Sequence, residues 1–279
     1  MSDVRHLATS IDEQIETANR SRARPVVFLP GLWLLASSWD RWAARFAEAG
    51  YLPVSPGWPD DPAELDDPAV PAETSAAGIA DQHIEIITRL RRKPVVIGHS
   101  FGGLIAMIIA GRGCSVTTVA IDSAPVKGVL PLPFSPLKAS APVLGSPVNR
   151  HRGIPLTFEQ FRLGVATAVS EAEARHLYDE FAVPATGVPL FQAAGAVIDP
   201  WADPEIDYLR PDRGPLLIIE GEADRTSPPA VNRATYELQA QNGNVTEIAS
   251  LPGRGHSLTV DGDWRGVCDT ALEFVRLFA

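Results

Sequence analysis

The chain has 279 residues, 24 Lys+Arg against 34 Asp+Glu, a formal charge of −10 and a 45% hydrophobic share. This size can bury a core without disulfides or metals, and the composition excludes wholesale disorder. The acidic balance argues against nucleic acid as a partner. Two cysteines, Cys114 and Cys268, are too few for a disulfide framework or zinc cluster.

The first two dozen residues are polar and lack an apolar signal core, with Ile11 and Ile15 on one face of a short helix. Residues 26–29 (Val-Val-Phe-Leu), bounded by Pro25 and Pro30-Gly31, read as a buried strand. Ser38 is expected to cap a helix carrying Trp39, Trp42 and Phe46 on its core face and ending near Gly50. Residues 51–54 read as a second strand. A proline- and acid-rich loop follows, then an amphipathic helix over 75–93 with Ile79, Ile86, Ile87 and Leu90. The basic end of that helix suits a helix C-terminus rather than an anion site. Residues 94–97 form a strand, 98–102 a turn and 103–111 an apolar helix, about half the length of a membrane span. Further strands fall at 116–121, 215–220 and 245–249, and a closing helix at 264–278.

Alternating strands and helices predict an α/β fold: a mostly parallel central sheet with helices on both faces. Residues 125–214 break that rhythm. They hold a proline- and leucine-rich stretch and two short helices, at 157–164 with a Thr157/Gln160 capping box and at 170–180. The division expected is a core at 1–124, an inserted cap or lid at 125–214, and the rest of the core at 215–279.

Gly98-His99-Ser100-Phe101-Gly102 is G-x-S-x-G between a strand and an apolar helix, the context in which a serine projects from a tight turn as a nucleophile. A serine hydroxyl needs a base, and the base an orienting carboxylate. Of six histidines, His256 lies in a glycine-rich loop after the last strand. His99 belongs to the turn itself and is expected to bond beneath it. His83 is expected on an outer helix, and His151 and His176 at the surface of the insert. Two carboxylates end core strands, Asp224 and Asp122; chain order and loop context favour Asp224, with Glu222 beside it pointing to solvent. No histidine or cysteine spacing suggests a metal site.

On these motifs, from Val26 to Phe278, the chain resembles the α/β-hydrolase superfamily in its lid-bearing serine esterase/lipase-like branch. The resemblance implies Ser100 as nucleophile, His256 as base and Asp224 as acid. It also implies backbone N–H groups of Leu32 and Phe101 as the oxyanion hole. Pro30 stands where the family commonly has histidine; the donors are backbone groups and do not depend on that side chain. The implied chemistry needs no cofactor and no metal. The expected substrate is a small to medium apolar ester, lactone or thioester, against Trp33, Phe134 and Phe161 in an apolar pocket. Alternatives on the same residues are hydroxynitrile-lyase-like or cofactor-free haloperoxidase-like activity, or a non-catalytic small-molecule receptor. Soluble, cytoplasmic residence without a membrane span is expected. The sequence carries no signal for oligomeric state.

Overall fold

The computed structural model describes residues 10–58, 75–127, 129, 145–146, 153–186 and 206–279. Six strands form one parallel sheet: β1 (Pro25–Leu29), β2 (Leu52–Val54), β3 (Val95–His99), β4 (Thr117–Ile121), β7 (Leu216–Gly221) and β8 (Thr246–Leu251). Their order is β2-β1-β3-β4-β7-β8. A two-residue antiparallel pair, β5 (Gly153–Ile154) with β6 (Ala185–Thr186), stands apart in the insert.

The central strands β1, β3, β4 and β7 are buried at every position, and mostly apolar, because both faces are covered. Alternate residues go to opposite layers. Val27, Leu29, Val96 and Ala120 join one cluster with Ile79, Ile105 and Ile109. Val26, Phe28, Val95, Ile97 and Val119 join another with Trp42, Phe46 and Ala271. The second layer holds an aromatic stack, with Phe28–Trp39 and Trp39–Trp42 ring centroids 5.2 and 5.1 Å apart. Burial of one such side chain stabilises by about 1.5–3 kcal/mol.

Helices α1 (Ile11–Arg20), α3 (Ala76–Thr88) and α4 (Phe101–Gly111) lie on the first layer, and α2 (Asp40–Glu48) and α8 (Trp264–Phe278) on the second. Ser10 and Glu13 form a capping box on α1, and Ser75 caps α3. Helix α4 is buried along its whole length, as its all-round apolar sequence requires.

Two expectations change, and one helix appears that the sequence did not signal. Ser38 caps nothing: it is buried in a 3-10 turn, Ala36–Trp39, and Trp39 precedes α2 without a side-chain cap. Strand β3 runs on to His99 and α4 starts at Phe101, which narrows the expected turn at 98–102 to Ser100. Helix α7 (Pro229–Gln239) carries no apolar stripe in the sequence because the face it buries includes Asn232, Thr235 and Gln239. The insert helices α5 (Phe158–Gly164) and α6 (Glu171–Phe181) form as expected, with the Thr157/Gln160 box and Ser170 as caps. Among the described residues no helix is long and apolar enough to cross a membrane.

Candidate active site

The strand order reverses at β1: the chain passes from β1 outward to β2, then returns to β3 on the other side. In open parallel sheets ligands bind at such a switch point, outside the carboxyl ends of the strands. Leu29 pairs with Gly98 in register, so the loop leaving β1 and the turn leaving β3 emerge side by side. Asp122 follows β4, Asp224 follows β7 and His256 follows β8, all at the same edge.

Among the described residues three non-glycine positions have positive φ: Trp33 (65°), Ser100 (56°) and Asp122 (40°). All three lie in loops at this edge. Such strain persists only where the surroundings enforce it, and it clusters at functional sites. The surroundings at Ser100 are two glycines. A Cβ at Gly98 would stand 2.0 Å from the Gly102 carbonyl oxygen, and one at Gly102 would stand 2.2 Å from the Leu29 oxygen. Only glycine lets β3, α4 and the end of β1 meet this closely. Gly31 lies against the turn, its Cβ position 3.2 Å from Ser100 Cβ. Leu32 and Phe101 are both buried there. Phe101 is the first residue of α4, so its N–H has no partner within the helix.

The three residues singled out by sequence meet. His256 Nε2 is 3.0 Å from Ser100 Oγ, and His256 Nδ1 is 2.6 Å from Asp224 Oδ2. Asp224 Oδ1 accepts from the Thr226 and Ser227 N–H groups at 2.7 and 3.1 Å. Burial opposes the charge on Asp224. The neighbouring His256, with hydrogen bonds from His256, Asp122 and Thr226, outweighs that and holds the carboxyl below its usual range. The carboxylate fixes a proton on Nδ1 and leaves Nε2 free to accept from the serine hydroxyl.

Two neighbours complete the cluster. His99 Nε2 lies 2.8 Å from the His256 carbonyl oxygen, which can only accept, so the proton is on Nε2. Burial, with His256 nearby, pushes His99 down to about 3, so its ring is neutral. Asp122 is fully buried and does not bond His256; its Oδ1 accepts from Gly221 N–H at 2.9 Å and more weakly from Asn232 Nδ2 at 3.5 Å. Sequence reasoning missed the His99–His256 bond and the contact of Asp122 with Asp224, because both depend on how separate strand ends meet.

The other candidates are more varied. Glu222 is exposed, as expected. His176 is exposed on α6, whereas His83 is buried in α3, its Nδ1 bonded to the Ile79 carbonyl. Trp33 is half-buried, with its indole N–H donating to the Ile154 carbonyl at 2.9 Å. Phe161 is fully buried among insert residues, edge-on to Tyr178, and packs the insert instead of facing open space. Phe134 and His151 lie outside the described residues.

Asp122, Asp224 and His256 also have ligand atoms within 4.8 Å of one another. Both Asp224 oxygens and His256 Nδ1 are already engaged by Thr226 N–H, Ser227 N–H and each other, so the donor set fits a hydrogen-bonded relay better than a metal.

A family model described as the alpha/beta hydrolase family matches residues 26–276. No curated protein matches the chain. Among solved structures, the chain is similar to a monoacylglycerol lipase from Paleococcus ferrophilus, with 20% identity, TM-score 0.61, and coverage of 92% of this chain and 94% of that one. It is similar to an extracellular alpha/beta-hydrolase from a Paenibacillus species, with 18% identity, TM-score 0.64, and coverage of 90% and 98%. A pyrethroid hydrolase from Sphingobium faniae JZ-2 gives 16% identity, TM-score 0.64, and coverage of 90% and 97%. The match over nearly the whole chain, on a parallel sheet with this strand order, shows that the protein belongs to the alpha/beta hydrolase family.

Proposed function

We propose that the protein is a serine hydrolase that cleaves small to medium apolar carboxylic esters, lactones or thioesters through an acyl-enzyme. The observation that carries this is the unbroken hydrogen-bonded line from Ser100 through His256 to Asp224, set on a strained turn. Ser100 Oγ attacks the carbonyl carbon while His256 Nε2 takes the hydroxyl proton. The N–H groups of Leu32 and Phe101 hold the oxyanion. His256 returns the proton to the departing oxygen or sulfur as the carbonyl re-forms. Water then attacks the acyl-enzyme by the same route, losing its proton to His256, and Ser100 regains its hydroxyl. Asp224 keeps the imidazole oriented and stabilises its charged form.

Residues 125–214 serve in this reading as a cap inserted between the core segments 1–124 and 215–279. Its support is that described insert residues tie to three of the five loops at the site, those after β1, β7 and β8. Ile154 accepts from Trp33, Gly164 accepts from Thr226 Oγ1 at 2.6 Å, and Glu173 accepts from Gly262 N–H at 2.6 Å. Trp33 supplies an apolar wall for the acyl chain. That structural neighbours carry the names monoacylglycerol lipase and pyrethroid hydrolase agrees with a hydrolytic role.

The test is initial rates on p-nitrophenyl esters of increasing acyl length. Ser100→Ala and His256→Ala each lower kcat by about 10⁴–10⁶-fold. An unchanged rate in either variant overturns the assignment. Cyanohydrin cleavage without ester turnover would favour a lyase on the same residues.

A further inference from the structure

Asp122 is a buried carboxyl group at this site that the acyl-transfer steps leave without a task. Its backbone is strained at φ 40°, a conformation that a non-glycine residue adopts only under constraint. Its Oδ1 takes the Gly221 N–H at 2.9 Å and the Asn232 amide at 3.5 Å. Its Oδ2 is fully buried and receives no hydrogen bond from any N–H donor. An ionised oxygen left in that position would be costly, because nothing there replaces water. One carboxyl oxygen of Asp122, one of Asp224 and a ring nitrogen of His256 lie within 4.8 Å of one another. Asp224 is already ionised against His256, and its Oδ2, which takes only the His256 N–H, has room for a further donor.

We propose that Asp122 is a positioning residue that carries its proton on Oδ2 and donates it to the Asp224 carboxylate, so that one neutral and one charged carboxyl together orient His256. The reading rests on the Ser100–His256–Asp224 assignment above. Two adjacent buried carboxyls cannot both ionise readily, and the environment decides which one does. Asp224 has the imidazole and two backbone N–H groups; Asp122 has one good backbone donor. The titratable groups facing Asp122 are Asp224, Glu220 and His256. Burial first, then the charge of Asp224, raises the Asp122 carboxyl well above the usual range. The hydrogen bond between the two side chains is in turn one of the causes that hold Asp224 low. The strained backbone at Asp122 is then the feature that aims its carboxyl at Asp224 instead of along the strand.

The experiment compares wild type, Asp122→Ala and Asp122→Asn by p-nitrophenyl acetate hydrolysis across pH, alongside phosphonylation of Ser100 by a p-nitrophenyl phosphonate. Asp122→Ala lowers kcat by about 10- to 100-fold, the scale for partners that orient a reacting group. It also moves the acid limb of the rate profile to higher pH, because the charge of Asp224 then falls more fully on the base. Asp122→Asn is neutral and still offers an N–H toward Asp224. It recovers most of the lost rate and leaves the acid limb where wild type has it. If Asp122 instead carries charge, Asp122→Asn removes that charge, moves the acid limb to lower pH and recovers nothing, which overturns the proposal. A wild type that is not phosphonylated at Ser100 overturns the underlying assignment and the proposal with it, an outcome distinct from a pH-profile failure in a protein that is labelled. Infrared spectra of wild type at pH 8 give a check that does not depend on how the variants fold. A protonated-carboxyl stretch is expected, and its absence overturns the proposal.

Discussion

His99 shows how the sheet end couples residues 157 positions apart: its ring N–H holds the carbonyl of His256, the residue that faces Ser100. Its folded value of about 3 lies below the unfolded 6.5. Between those values the unfolded chain binds the extra proton, so the stability supported by neutral His99 is present above pH 6.5. It is lost as pH falls toward 3, by up to about 5 kcal/mol. Asp122 works in the opposite sense: its raised carboxyl contributes most below its unfolded value and loses that contribution as pH rises. His99→Gln keeps an N–H for the His256 carbonyl and removes the titration. Its urea midpoint falls less than that of wild type between pH 6.5 and 4; an equal fall would mean that His99 is not held neutral. Ser100, His256 and Asp224 were legible as single residues because each sits in a recognisable loop after a strand. The bond from His99 and the contact of Asp122 with Asp224 were not, because neither partner is near the other in sequence.

The strand-to-helix turn at Ser100 is the element on which the site depends. It is built by contact with the end of β1 as much as by its own sequence. Gly102→Ala puts a methyl group 2.2 Å from the Leu29 oxygen and 2.6 Å from the Pro30 oxygen, both backbone atoms that cannot swing away. The expected cost is about 1–3 kcal/mol or more, seen as a lower thermal midpoint together with reduced ester turnover. A variant of wild-type stability and rate would show that β1 and α4 are not in this contact. The apolar strands and the capped helices α1, α3, α5 and α6 were legible because their signals are local: continuous apolar runs and Ser or Thr caps. Helix α7 was not, because its inner face is polar, with Asn232, Thr235 and Gln239 buried. Asn232 donates to the Ser227 carbonyl at 3.0 Å, and Gln239 accepts from the buried Arg213. The end of β3 was misjudged because glycine usually breaks a strand, and here Gly98 continues it to make room for Gly102.

At the scale of the whole molecule, one switch in strand order gathers loops from five strands at one edge, and Ile154, Gly164 and Glu173 hydrogen-bond to three of them. The parallel architecture was legible from alternation alone, but the order β2-β1-β3-β4-β7-β8 was not, since nothing in a strand's own residues names its neighbour. That order is what puts the loop after β1 beside Ser100 and carries His256 in from the sheet's far edge. The base loop is held by Trp42, whose indole N–H donates to the Thr259 carbonyl at 2.9 Å, and by the ion pair of Arg254 with the buried Asp261. The acid loop is held to the insert through Thr226. Ser100, His256 and Asp224 are therefore fixed by separate parts of the fold, and their alignment is a property of the assembled molecule.

The measurement that tests the central claim most directly is the site of covalent capture by a serine-directed fluorophosphonate, read by intact mass and peptide mapping. The account predicts one adduct per chain, on Ser100, formed rapidly in wild type, slowly in His256→Ala and not at all in Ser100→Ala. No adduct in wild type, or an adduct that maps to another residue and survives in Ser100→Ala, would contradict it.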